Sequence, residues 1–212
     1  MDFDFDFTEK RVILTVFFCM AFTIANLITV KIINIDFFGM ETPAGVLIYP
    51  LVYVLTNVIT EVYGEKVAQR TIALGIAADV LFVFMTTLIL FLPSPSFYTG
   101  DSALSFVFTQ TPRILVASYI SYVIGNLVNA RLTTIFNRGS YSSAKNLAAI
   151  VIGELVDNIV FIGLAFVGIY SVFDIAVMII THWLISLVWS AVAQPFNTRT
   201  VKWAEKGKPV EA

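Results

Sequence analysis

The sequence predicts an all-α polytopic membrane bundle of six helices with both termini in the cytoplasm. Three observations predict it. Hydrophobic residues make up 58% of the 212-residue chain and charged residues only 13%, against about 25% charged in ordinary soluble domains. Mean hydropathy is +0.86. The apolar residues fall into six runs separated by short polar connections, and the basic residues collect on alternate connections. So few charges cannot clothe a water-facing surface, which excludes a soluble globular domain and a disordered chain. A net charge of −2 gives no basic footprint for phosphates and excludes a nucleic-acid partner. The single cysteine, Cys19, excludes a disulfide framework or a thiolate metal site.

A helix needs about 20 apolar residues to cross the hydrocarbon core. The six runs cover residues 12–33, 44–62, 71–92, 113–135, 147–170 and 175–196, and form a single domain. None alternates in the manner of a membrane β-strand. The first run is too long for a cleaved signal and follows an acidic start, Asp2, Asp4, Asp6 and Glu9, which reads either as a segment touching the membrane interface or as a frayed tail. Pro50 and Pro195 fall inside spans two and six, where each removes a helical hydrogen bond and can kink its helix. Lys10, Arg11, Lys66, Arg70, Arg131, Arg138, Lys145, Arg199, Lys202, Lys206 and Lys208 flank one set of helix ends. Only Lys31 and Arg113 flank the other. The basic side is the cytoplasmic one, and an even number of spans agrees. The longest connection, 93–112, is then external, either an ordinary loop or a cover for an outer mouth.

Ionisable groups at membrane depth cost at least about 2.5–3.5 kcal/mol on insertion scales, so each needs a reason. In span five, Glu154 and Asp157 are three apart and Glu154 and Asn158 four apart, so all three share one helix face. They must point into the bundle. Span two carries Asn57 and Glu61 on one face, although Glu61 lies at a helix end where it can simply meet water. Span three carries Asp79, span four Asn126 and Asn129, span one Asn26, and span six the only histidine, His182, beside Trp183. A lone Asn or His in a membrane helix commonly serves as glue between helices. Depth argues for more here. At about 1.5 Å per residue, Asn57, Asp79, Asn126, Glu154 and Asp157 fall in one layer, with Asn26 and His182 further out. A polar layer fed by four helices has the form of a midplane solute site. No catalytic or metal motif stands in the sequence, and one His and one Cys make a weak nucleophile–base pair. The sequence therefore predicts no enzyme, no cofactor and no metal.

Several segments resemble a known family. Asn57-Val-Ile-Thr-Glu61-Val-Tyr-Gly64 with Lys66 and Arg70, Pro50 upstream, Arg113 to Ser118 with Gly125-Asn126, and Gly153-Glu154-Leu-Val-Asp157 match its order and spacing over nearly the whole chain. The family is that of the queuosine precursor transporters, also called vitamin-uptake-transporter-like. The resemblance implies a six-helix inner-membrane importer of 7-deazaguanines such as preQ0, preQ1 or queuine. A carboxylate suits the N1–H and amine edge of such a base, an amide its carbonyl edge, and an aromatic ring its flat face. Glu154, Asp157, Asn158, Asn126, Asn57, Asp79, Glu61, Asn26, His182 and Trp183 are the candidate solute-binding residues. The chain departs from the family pattern at Asn57, Asn129, Lys145, Ala149, Ile150 and Ile185, which changes the pocket more than the fold. A divergent branch with another purine-like or vitamin-like solute fits these changes.

The competing reading is a substrate-binding subunit of an energy-coupling-factor transporter, because Ala21 and Ala25 on span one have the small-residue spacing that docks a shared partner. The implied partners are thus the lipid bilayer and a small solute, with a second copy or an energising subunit left open. Orientation is testable. In a Cys19→Ser background, Ser102→Cys is expected to react with a membrane-impermeant maleimide added outside the cell. Labelling only from the cytoplasmic side would reverse the bundle.

Overall fold

The computed structural model describes residues 5–35, 39–136 and 143–208. The fold is all-α apart from one hairpin. Its order is α1 (Phe7–Ile28), β1 (Ile32–Ile35), β2 (Met40–Pro43), a 3-10 turn (Ala44–Leu47), α2 (Tyr49–Tyr63), α3 (Glu65–Leu90), α4 (Asp101–Phe108), α5 (Thr111–Phe136), α6 (Ser143–Phe166) and α7 (Val172–Glu205). Among the described residues, four helices, α1, α3, α6 and α7, are long and apolar enough to cross a membrane. At 15 residues α2 is short for a span, and Ser118, Ser121, Asn126 and Asn129 dilute the apolar content of α5. Large apolar side chains stay exposed along the helix flanks, as on α3, where Leu81 is 61% and Phe84 62% exposed. Water would penalise such a belt and lipid does not.

Helix ends depart from the sequence expectation where caps decide them. α1 starts at Phe7, five residues before the apolar run, because Asp6 accepts the Glu9 N–H at 2.7 Å and Glu9 accepts the Asp6 N–H at 2.8 Å. The acidic start is at least partly a cap; Asp2 and Asp4 lie outside the described residues, as does Arg138. Ser171 and Asp174 form the same reciprocal cap on α7. That helix then runs through Pro195 to Glu205, well past the expected end. Pro50 does not interrupt a helix. It stands in the first turn of α2, where no N–H is needed.

The clearest difference lies between α1 and α2. Residues 29–33, expected at the end of a helix, leave it, and Ile32–Ile35 pairs antiparallel with Met40–Pro43. The 3-10 turn takes up the start of the expected second span. This turn sits hard against α1: a Cβ on Gly45 would stand 2.1 Å from Thr29 Oγ1 and 2.9 Å from the Ala25 carbonyl. Ala25 and Ala21, with 0% and 5% exposure, are buried by the chain's own helices. They offer no open seam to a partner.

The start of α1 and the turn after α7 meet at the end of the bundle that carries most of the Lys and Arg. The buried Lys10 donates to the Lys206 carbonyl at 2.7 Å and lies 5.5 Å above the Trp203 ring. The hairpin caps the opposite end. One apolar cluster forms around Phe18, Leu55, Ile59 and Ala204 near the basic end. A second forms around Ile114, Phe161, Ile162, Phe166 and Met178 near the hairpin.

The closest helix pair is α5–α6. Gly125 and Gly153 face each other there. A Cβ on Gly125 would lie 2.7 Å from Asp157 Cβ, and one on Gly153 would lie 2.8 Å from Asn129 Cβ. Overpacking of this kind costs typically about 1–3 kcal/mol. Gly125→Ala is therefore expected to lower the thermal midpoint of the purified protein, and Gly163→Ala, where a Cβ meets nothing within 4 Å, to leave it unchanged. Equal midpoints for the two would contradict the close crossing.

Candidate functional site

A cavity of about 600 Å³ opens between the helices, within the roughly 300–1,000 Å³ usual for small-molecule sites. Its wall nearest the hairpin holds Tyr49, Phe161 and His182; its wall nearest the basic end holds Asn57, Asn126, Ala193 and Asn197. His182 to Asn197 on α7 spans about 22 Å at 1.5 Å per residue. The cavity thus reaches through much of the bundle toward the basic end. At the other end it is covered, because Thr42 of β2 is fully buried and within 3.2 Å of His182 Nδ1. The cover is the hairpin. α4, from the long 93–112 connection, buries none of its residues and leans on α3 through Phe108 against Phe82.

The side chains that carry chemistry come from four helices. α6 supplies Glu154, Asp157 and the buried Asn158 to one wall, as one turn of helix requires. α5 supplies Ser118, Ser121, Tyr122 and Asn126 at spacings of three and four, which place them on one face. Ser121 donates its hydroxyl to the Ser118 carbonyl at 3.1 Å. Asn126 donates its amide to the Tyr122 carbonyl at 2.7 Å, which leaves its own carbonyl oxygen for other use. α2 brings Tyr49, Tyr53 and Asn57, again at intervals of four. α7 brings His182, Ser186, Trp189 and Asn197. The Oδ1 atom of Asn197 is buried without a hydrogen-bond partner, an acceptor waiting for a donor.

The cavity gathers six of the ten sequence candidates: Glu154, Asp157, Asn158, Asn126, Asn57 and His182. Four lie elsewhere. Glu61 is exposed beyond the basic end of the cavity. Trp183 points away and donates its indole N–H to the Val151 carbonyl at 3.1 Å. Asp79 and Asn26 are buried together at the α1–α3 contact, where Asn26 Nδ2 donates to Asp79 Oδ2 at 2.6 Å. Equal depth put Asp79 in the expected layer, but depth carries no information about which way a helix is rotated. Of the positions that depart from the family pattern, Asn57 and Ile150 line the cavity. Asn129 packs at the α5–α6 crossing and Ala149 is fully buried. Ser118 was read only as part of the family resemblance, and the lining residues Tyr49, Tyr53, Tyr122, Ser121, Trp189 and Asn197 carry no sequence reading. For α5 the signal was present in the run Ser118, Ser121, Tyr122, Asn126. For Tyr and Trp it was drowned by the abundance of aromatic residues.

Residues 43–199 match the family described as "Putative vitamin uptake transporter", and this stretch holds every cavity-lining residue except Phe18 and Phe22 of α1. The chain belongs to the vitamin uptake transporter family. The chain is also similar to the "Probable queuosine precursor transporter" of Bacillus subtilis (strain 168), 24% identical over 176 residues, covering 81% of this chain and 76% of the relative. No solved structure matches. As a member of the vitamin uptake transporter family, the chain is a membrane-bound transporter of a small solute and not an enzyme.

The cavity is testable without knowing the solute. In a Cys19→Ser background, Ser186→Cys is expected to react with a small water-soluble maleimide, and Thr181→Cys, at a position 1% exposed, to stay unreactive. Equal protection of both would mean that water does not enter the cavity.

Proposed function

We propose that this chain crosses the inner membrane six times, with both termini in the cytoplasm, and imports a 7-deazaguanine queuosine precursor or a related purine-like solute. The observation that carries the reading is the composition of the cavity between the helices: an acidic pair, amides and aromatic rings on walls that face each other. Asp157 and Glu154 accept from the N1–H and exocyclic amine of a guanine-type edge, a paired contact to ionised acceptors. Asn57, Asn126 and Asn197 answer the carbonyl and ring nitrogens. Tyr53, Tyr122, Phe161 and Trp189 offer faces on which a flat base stacks, at about 1–3 kcal/mol per base in single-strand binders. The name of the Bacillus subtilis relative supports the solute class.

Six crossings are supported by the meeting of α1 and α7 at the Lys10–Lys206 contact, since an even number of crossings returns the chain to the side where it began. The Lys/Arg count places that side in the cytoplasm. The burial of Ala21 and Ala25 inside the bundle favours a carrier complete in one chain over a subunit that docks an energising partner through α1.

A thermal-shift titration of the purified protein with preQ1 tests this reading. A ligand at a hundredfold excess over Kd stabilises by about 2.7 kcal/mol. Asp157→Asn replaces a charged acceptor by a group that is half donor. A charged hydrogen bond is worth about 1.5–3 kcal/mol, so binding is expected to weaken roughly 10- to 100-fold with little change in the ligand-free midpoint. Trp189→Phe is expected to abolish the fluorescence change on binding, and Trp183→Phe to keep it. No shift with any 7-deazaguanine, or equal affinity in Asp157→Asn, would overturn the proposal.

A further inference from the structure

Outside the cavity lies a second buried polar system. Asp79 of α3 is 2% exposed. One carboxyl oxygen accepts from the Thr23 hydroxyl and the other from Asn26 Nδ2 at 2.6 Å. Both donors are neutral and both come from α1. No Lys, Arg or His pairs with this carboxyl among the described residues. The titratable groups facing it are Cys19 of α1, Tyr49 of α2 and Tyr119 of α5, none of them a cation. α4 brings only Asp101, which is exposed and accepts from Ser94 at 2.7 Å. A carboxylate held at membrane depth by neutral donors alone is costly. Simple helix glue is better made from an amide or a hydroxyl, which carries no charge to bury.

The cluster is wired to the cavity. Tyr49 donates its hydroxyl to Asn26 Oδ1 at 2.8 Å, and the same hydroxyl lies 2.9 Å from Ser118 Oγ. Tyr49 has one proton and gives it to Asn26, so Ser118 must be the donor in its contact with Tyr49. Every hydrogen in the chain Ser118–Tyr49–Asn26–Asp79 therefore points toward the carboxyl, the polarity that an ionised acceptor imposes. Tyr49 and Ser118 both line the cavity; Asp79 and Asn26 do not.

We infer that Asp79 is a proton-binding site separate from the solute cavity, and that the Asn26–Tyr49–Ser118 chain transmits its protonation to the cavity wall. A proton on Asp79 turns an acceptor into a donor. Asn26 can then receive it only by turning its amide, so that Oδ1 faces Asp79 and Nδ2 faces Tyr49. Tyr49, now accepting from Asn26, donates to Ser118, and the Ser118 hydroxyl is released to donate into the cavity. No covalent bond changes apart from the O–H that the proton makes on Asp79. The cavity then presents one more donor when Asp79 is protonated and one fewer when it is not. Proton binding and solute binding become coupled, and the coupling is reciprocal. This use of the coupling rests on the proposed transport of a solute; the proton site itself does not.

Infrared difference spectra of the full chain in lipid, recorded between acidic and alkaline buffer, test the site with protons as the only ligand. The expected result is a protonated-carboxyl band that is lost in Asp79→Asn and kept in Asp157→Asn. The band is expected to shift in Ser118→Ala and in Tyr49→Phe, which break the chain while leaving Asp79 in place, so the test survives if Asp79→Asn fails to fold. A band unchanged in Asp79→Asn, Ser118→Ala and Tyr49→Phe alike overturns the site. So does a band that responds to sodium at fixed pH and not to pH, and a band unmoved by Ser118→Ala and Tyr49→Phe overturns the link to the cavity. Affinity for preQ1 is then measured against pH. It is expected to change with pH in the native chain and to be flat, with binding retained, in Asp79→Asn. A native band assigned to Asp79 with no preQ1 binding in any variant upholds the proton site and counts against the solute reading alone.

Discussion

A Cβ on Gly125 would stand 2.7 Å from the Cβ of Asp157, so the acidic wall of the cavity lies where it does because α5 carries no side chain at that point. The paired absence at Gly153 lets the two backbones approach from both sides. In lipid this matters more than it would in water. Two apolar helices gain little from hiding their side chains from hydrocarbon, and close packing of small residues holds them together instead. The crossing then fixes the rest. It sets the rotation of α6 that turns Glu154, Asp157 and Asn158 inward, opposite the Ser118, Ser121 and Asn126 face of α5. The remaining helices close around this pair, with α2 and α7 supplying aromatic walls.

The fold was legible where the membrane dictates it. Hydrocarbon thickness sets the length of apolar runs, and among the described residues α1, α3, α6 and α7 are long and apolar enough to match it. The clearest failure was at residues 29–47. Ile32 and Ile33 read as the end of a span by hydropathy alone, yet they belong to one strand of a hairpin. Hydropathy cannot separate a buried strand from a helix over so few residues. What decides the matter is tertiary: Thr42 reaches His182, and Gly45 admits the 3-10 turn against Ala25 and Thr29. Helix ends at Phe7 and Val172 were set by side-chain caps rather than by the apolar pattern.

The candidate site was legible in part for a related reason. The spacing of Glu154, Asp157 and Asn158 determines that they share a face, and the need to keep charge from lipid determines that the face is interior. Neither consideration fixes how α3 is rotated relative to its neighbours. Asp79 shares the depth of the cavity residues but turns toward Thr23 and Asn26 on α1. The molecule therefore holds two buried acidic systems, one open to the cavity and one closed between helices, joined by Tyr49. The hairpin seals one end of the cavity while the other end approaches the basic side of the bundle.

The most direct measurement of the central claim is uptake by proteoliposomes that contain this chain and no other protein, supplied with labelled preQ1. A carrier complete in one chain gives saturable uptake above that of empty vesicles, competed by unlabelled 7-deazaguanine. Uptake no greater than that of empty vesicles, from protein shown to be folded and inserted, would contradict the claim that this chain alone moves such a solute across the membrane.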